Sequence, residues 1–320
     1  MRVTSNLFPN SLASQLQTLQ SQIADDQNAI STGKKLTLPS DNPTDYRRAL
    51  ELRNSQLQTH SFLQVTQIVQ EHTQASYTAA SQLQTLVSRA SEIATRASSV
   101  LSSSDMAAMA VEVNNLLEQS VADGNTKDSN GQFLFGGNYL QASDTDPATA
   151  AAYVPFSVTR NASNQITAVT YRGNTNVTQL AVQDGSKMDL NQIGSSATGT
   201  PRGLFVNNTD NVFTQLITLR DSLTAGNAPA ALATLTGLNG VENNVATVIG
   251  ATSANLDRLN ITTQSLQTKL QSDEGVLSQL SDADYASTVL ALNQKQNSFQ
   301  AALQSGAKIL NLSLMNYLPV

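Results

Sequence analysis

Residues 43–101, PTDYRRALELRNSQLQTHSFLQVTQIVQEHTQASYTAASQLQTLVSRASEIATRASSVL, decide the fold. Within them Val65, Ile68, His72, Ala75, Ala79, Leu83, Leu86, Ala90, Ile93, Ala97 and Val100 step by three or four throughout. That spacing marks one face of an α-helix. Asn42 is placed to cap the helix, Pro43 fits the first helical position, and Asp45 sits at the third. A continuous helix over 43–101 would run ~88 Å at 1.5 Å per residue. A compact domain of this mass does not need such a length, so the pattern predicts an elongated, mainly α molecule built on long helices.

Moving toward the N-terminus, Leu12, Leu16, Leu19, Ile23 and Ile30 step by four, three, four and seven. This is a narrow stripe of coiled-coil type. Gly33 is suited to the left-handed conformation that ends a helix, and Lys34 and Lys35 sit near the negative helix end. Moving toward the C-terminus, Asp105 is read as the cap of a third helix carrying Met106, Met109, Val113 and Leu116 and ending near Gly124. From about 140 to 203 the helical period disappears. Tyr153 to Val158, Ile166 to Arg172 and Val177 to Val182 read as short strands, with Asn161 to Asn164 and Gly173-Asn174 as turns. Helical period returns at Val212, Phe213, Leu216, Leu219 and Leu223, then after Gly226 and Pro229 continues to about Leu280. Gly237, Gly240 and Gly250 weaken the first part, each by ~1 kcal/mol against Ala. Ser281 is read as a fresh cap, with Leu280 and Tyr285 placed for a hydrophobic staple. The last helix carries Val289, Leu292, Phe299, Leu303, Leu310 and Tyr317 at heptad-compatible spacing.

Composition excludes several classes. The chain has 320 residues, with 18 basic and 24 acidic side chains and a net charge of −6. Charged residues make up 13%, about half the usual ~25%. With no Cys there is no disulfide, thiol nucleophile or Cys-based zinc site. A pI near 4.9 argues against nucleic acid, which needs a basic surface. No apolar run is long enough to span a membrane, and MRVTSNLFPNSLASQLQ has no apolar core of a secretory signal.

No catalytic constellation emerges. The sequence holds no P-loop, no G-x-G-x-x-G after a strand, no G-x-S-x-G and no H-E-x-x-H. The loop DGNTKDSNG fails as an EF-hand: with Gly131 at the sixth position, Gly137 falls where a Glu is required. It reads as a solvated turn. His72, within the apolar stripe, reads as a packed or interfacial helix residue, and Met106 with Met109 as core. No catalytic, cofactor or metal residue is nominated.

The positive signal lies at the two ends. Residues 1–33 carry only Arg2, Asp25 and Asp26 as charges, and residues 286–320 only Lys295 and Lys308. A solvated helix normally carries charges opposite its apolar stripe. Here Gln, Ser, Asn and Thr stand in that place, and a neutral amide or hydroxyl costs less to bury than a charge. Two readings fit: a terminal antiparallel coiled coil with neutral edges, or a pair of assembly surfaces that are wet in the monomer and buried in a polymer.

Three segments, in order, carry a resemblance. ISTGKKLTLPSDNPT (30–44), NGQFLFGGNY (130–139) and ADYASTVLALNQKQNSFQAALQSGAKILNLSLMNYL (283–318) resemble the flagellin family, in the form of its hook–filament junction branch. The resemblance covers nearly the whole chain and is least informative in the β-rich insertion. It implies terminal coiled-coil assembly helices (1–42 and 281–320), a central long-helix bundle (43–139 and 204–280) and an outward β-rich insertion (140–203). It implies a structural protein of the bacterial flagellum that joins hook to filament and templates the first flagellin layer. Its partners would be further copies in a ring, the other junction protein, flagellin and a flagellar export chaperone. Its place would be extracellular, reached by type III export without a cleaved signal. The assembly interface would be Leu12, Leu16, Leu19, Ile23, Ile30, Val289, Leu292, Phe299, Leu303, Leu310 and Tyr317. The rival readings are flagellin itself, which shares the terminal helices, and a secreted coiled-coil adhesin or effector that binds through the insertion.

Overall fold

The computed structural model describes residues 7–97, 102–128, 130–138, 153–199, 202–208 and 210–315, with helix side chains described from residue 11 and up to residue 308. The order is α1 (Leu7–Thr32), α2 (Pro43–Arg96), α3 (Ser103–Gly124), β1 (Phe156–Arg160), β2 (Ile166–Tyr171), β3 (Gln179–Gln183), β4 (Ser186–Asp189), β5 (Ser195–Ser196), β6 (Val206–Asn207), β7 (Asp210–Asn211), α4 (Val212–Thr224), α5 (Ala228–Ser281) and α6 (Tyr285–Met315). The fold is mainly α with a small strand-containing region. Contacts divide it into two units, Met1–Gln58 with Thr268–Val320, and Thr59–Gln267.

Local chemistry explains where the helices start and stop. At α2 the Asn42 side chain accepts from the amides of Thr44 (3.1 Å) and Asp45 (3.2 Å), as its capping position requires. α1 ends as expected, with Gly33 at φ +69°. Two start signals differ from the sequence reading. α3 is capped by Ser102, not Asp105. Ser102 Oγ accepts the Asp105 amide (3.2 Å) while the Asp105 carboxylate accepts the Ser102 amide (3.2 Å), a reciprocal capping box. α6 is capped by Asp284, which accepts the Ala286 amide at 3.1 Å. Ser281 is instead the last residue of α5, and Tyr285 is 66% exposed, so no staple forms. Val100 and Leu101, read as the end of the second helix, lie outside the described residues.

α5 is continuous through all three of its early glycines. Two of them are close-approach positions. A Cβ on Gly237 would meet the Gln215 side chain at 2.2 Å, and one on Gly240 would meet Asp210 Oδ1 at 2.5 Å. The helix propensity lost there is exchanged for contact with α4 and β7.

Among the described residues the strands form three separate small sheets, the third reaching past the expected insertion to β6 and β7. β1 and β2 pair antiparallel, with Phe156 opposite Tyr171 and Val158 opposite Val169. β3 and β4 pair antiparallel, with Leu180 opposite Met188. β6 lies between β5, parallel to it, and β7, antiparallel. β4 to β7 were not anticipated, being short and rich in Ser, Asn, Lys and Asp. Residues 140–152 of the expected insertion lie outside the described residues.

The large core belongs to the second unit. Among the described residues, the buried apolar side chains outside 69–266 are Leu36 and Ala49. Its centre is aromatic: Phe156 meets Phe205 at 5.2 Å and Phe213 at 5.1 Å between ring centroids, and Phe135 meets Phe205 at 5.2 Å. Asn125, just past α3, clamps β1 by accepting from the Phe156 amide (2.8 Å) and donating to its carbonyl (2.9 Å). Buried Arg220 of α4 donates to the Ile166 carbonyl of β2 at 2.7 Å. A smaller cluster of Val69, Val182, Met188 and Leu259 seats the β3–β4 hairpin between α2 and α5. Truncating Phe156 to Ala removes the ring shared by strand, loop and helix. It is expected to cost about 3–5 kcal/mol, read as a lowered thermal midpoint. A midpoint within a degree of wild type would show that the cluster closes around the gap.

Candidate assembly surface

α1 and α6 pair with each other, and three contacts define the register. A Cβ on Gly306 would lie 2.7 Å from Leu12 Cδ2, so the glycine is the notch that receives this leucine. Asp26 Oδ2 lies 2.7 Å from Lys295 Nζ. Lys34 pairs with Asp282. As numbers rise along α1 they fall along α6, so the pair is antiparallel. The loop after α1 is fastened to the α5–α6 junction. The Lys35 amide donates to the Ser281 carbonyl (2.8 Å), the Lys35 ammonium to the Gln279 carbonyl (2.7 Å), and the Ala283 amide to the Gly33 carbonyl (2.9 Å).

The Asp26–Lys295 pair uses two of the few charges at the termini. Both side chains are largely covered, at 17% and 29% exposed, and a misregistered pairing would leave them without each other.

The expected interface residues divide by where they sit. Leu12, Leu16, Leu19, Ile23 and Ile30 on α1, and Val289, Leu292 and Phe299 on α6, are all half-buried. Leu303 departs from the expected packing against α1 and is 47% exposed. The reason is rotation about the helix axis. Lys295 and Gly306 are three turns apart and lie on one line facing α1, while Leu303 is turned roughly 60–80° from that line at 100° per residue. Leu310 lies in α6 with its side chain outside the described set, and Tyr317 lies outside the described residues.

Among the described residues of α1 and α6, only Gly306 is buried, and no side chain is. The paired helices therefore bring together an apolar stripe without closing it. A two-helix pair with so little burial is marginal in water, and its uncovered apolar and amide-rich faces can serve assembly. Among the described residues this pair does not present a convergent set of reactive groups.

His72 and the 128–132 loop form a contact that sequence reasoning missed. His72 Nε2 lies 3.0 Å from Asp128 Oδ2, both side chains being buried. Asp128 Oδ1 accepts from the amides of Asn130 (2.9 Å) and Gln132 (2.7 Å). The carboxylate thus organises its own turn and holds it against α2. The Asp-x-Asn spacing could have suggested the turn, but nothing local names a histidine more than fifty residues away. Met106 and Met109 are buried in the core. No helix among the described residues is long and apolar enough to cross a membrane.

Residues 3–139 match the family model of the bacterial flagellin N-terminal helical region. Over 331 aligned residues the chain is 26% identical to flagellar hook-associated protein 3 of Salmonella typhimurium, covering 98% of each. Its fold is similar to that of a Vibrio parahaemolyticus structure assigned as a flagellar hook-associated protein, with a TM-score of 0.60, 16% identity, and coverage of 76% of this chain and 100% of that one. It is also similar to flagellar hook-associated protein 3 of Legionella pneumophila, with a TM-score of 0.56, 15% identity, and coverage of 72% and 98%.

The Lys34–Asp282 tie has a pH signature. The Lys34 ammonium, with help from Ser278, holds the Asp282 carboxyl down to about 2. A lowered carboxylate pKa stabilises the fold above the ordinary value and loses that contribution as pH falls through the lowered one. NMR titration of Asp282 should give a midpoint near 2 in wild type and a higher one in Lys34→Met. An unmoved midpoint would show that Lys34 is not the cause.

Proposed function

We propose that this chain is a hook-associated member of the flagellin family and that it joins hook to filament by ordering its terminal helices between neighbouring subunits. Its role is structural, at the hook–filament junction of the flagellum and in association with other flagellar components. It is not an enzyme. The flagellin alternative is not favoured, since the relatives that cover the chain end to end are hook-associated proteins.

Copies form a ring between the other junction protein and the first flagellin layer. Residues 1–42 and 281–320 act as the assembly helices, 43–139 and 204–280 as the bundle, and 140–203 as the outward insertion. The chain leaves the cell through the flagellar export channel, with a chaperone and without a cleaved signal, and reaches its extracellular place unfolded at its ends. The observation that carries this reading is that no described side chain of α1 or α6 is fully buried, Gly306 being the one buried residue among them. Helices of that kind are weakly held in the free chain and resist export little, and the cost of ordering them is met on assembly. The proposed interface is Leu12, Leu16, Leu19, Ile23, Ile30, Val289, Leu292, Phe299, Leu303, Leu310 and Tyr317.

Leu303→Asp tests it. The side chain is 47% exposed in the free chain, so an Asp there is solvated and the thermal midpoint should not move. Burial of that charge in the assembled junction is costly, so incorporation should fall to background. Normal incorporation would contradict the interface. Electron microscopy with an antibody against 140–203 should show a single band between hook and filament. Label along the whole filament would make the chain a flagellin, and no label on flagella would return it to secreted binding proteins.

A further inference from the structure

Asn-Gly occurs twice in the sequence, at 130–131 and at 239–240. In this dipeptide the backbone nitrogen of the second residue can attack the asparagine Cγ, and glycine has no Cβ to obstruct the approach. Both asparagines are exposed, but their backbones differ. Asn239 and Gly240 lie inside α5, where helical dihedrals hold the Gly240 nitrogen away from the Asn239 carboxamide and its amide is tied into the ladder. A Cβ on Gly240 would also meet Asp210 Oδ1 at 2.5 Å, so that segment is packed.

Asn130 sits in a turn outside any helix or strand. Gly131 follows at φ +77°, with nothing within 4 Å of where a Cβ would stand. The Asn130 backbone amide is held by Asp128 Oδ1, but its carboxamide makes no hydrogen bond among the described residues. It lines a cleft of about 650 Å³ together with Glu71, His72 and Asp128. A single bond restrains the attacking nitrogen, from the Gly131 amide to the Asp128 carbonyl at 3.1 Å.

We propose that Asn130 is a site of spontaneous deamidation, and that its isoaspartyl product releases the 128–132 turn from α2. The Gly131 nitrogen gives its proton to solvent and attacks Asn130 Cγ. The bond from Cγ to the side-chain nitrogen breaks, and that nitrogen takes up a proton and leaves as ammonia. Water then opens the cyclic imide at one carbonyl to give aspartate, or at the other to give isoaspartate. In isoaspartate the main chain runs through the former side chain and is one methylene longer. The turn has no slack for this. Asp128 Oδ1 accepts from both the Asn130 amide (2.9 Å) and the Gln132 amide (2.7 Å), and the Asp128 amide donates to the Gln132 carbonyl (2.8 Å). Opening that closure frees the carboxylate that His72 Nε2 meets at 3.0 Å.

The full-length chain is incubated at neutral and at mildly alkaline pH and mapped by peptide mass. Conversion of amide to acid should build up at 130 at least tenfold faster than at 239, and faster at the higher pH, with isoaspartate at 130 detected by enzymatic methylation. Equal rates at the two positions, or no acid at 130, would overturn the site. His72 gives the second readout, since the chain has two histidines and His60 is exposed elsewhere on α2. The His72 imidazole signal in NMR should move in the isoaspartyl fraction while that of His60 stays. Asn130→Asp, which adds the charge without the methylene, should leave the His72 signal in place. An unmoved His72 signal in the isoaspartyl fraction, or an equal shift in Asn130→Asp, would overturn the release of the turn by the longer backbone.

Discussion

Two helices that meet without closing a core set the terms for this molecule. α1 and α6 are held in register by a leucine in a glycine notch and by ion pairs near the middle and at one end. None of these contacts supplies much burial. Hydrophobic stabilisation scales with the apolar area removed from water, and here the area remains half open on both helices. The pair has direction and register but little independent stability. That combination suits the proposed role of a subunit that is exported and then locked into a polymer: register would be specified in advance, and the free energy would arrive with the neighbours.

The unit formed by 59–267 meets the opposite demand. It concentrates nearly all the buried apolar side chains, centred on Phe135, Phe156, Phe205 and Phe213. Its irregular strands are pinned to helices by buried or partly buried polar groups with definite partners. Asn125 bonds both the amide and the carbonyl of Phe156, and Arg220 donates to the Ile166 carbonyl. Leaving any of these unpaired would cost the full desolvation of a buried polar group. Strands too short to be stable alone are therefore fixed by side chains from helices.

The helices were legible in the sequence because a 3.6-residue period repeated over ten or more turns is hard to mistake, and Asn42-Pro43 and Gly33 mark ends by local stereochemistry. Asp105 and Asp284 show the limit of that reasoning. Both are short acidic residues near a start, yet one is the third-position partner of Ser102 and the other is itself the cap. Which role each takes depends on where the preceding chain turns. The open stripe at the termini was legible as missing charge, since Gln and Ser in place of Lys and Glu change what a helix face can meet. The rotation that turns Leu303 away from α1 was not, because it follows from Gly306 and Lys295 facing Leu12 and Asp26, a pairing between distant segments. The His72–Asp128 contact and the small sheets β4 to β7 were hidden for the same reason: tertiary partners stabilise them, and local propensity does not.

The central claim is that the terminal helices draw their stability from assembly. Amide hydrogen exchange of the free chain and of the same chain in isolated flagella tests it most directly. In the free chain, α1 and α6 should exchange orders of magnitude faster than residues 69–266, and in the assembled state they should become protected to a similar degree. Protection of α1 and α6 in the free chain equal to that of the aromatic core would contradict the account.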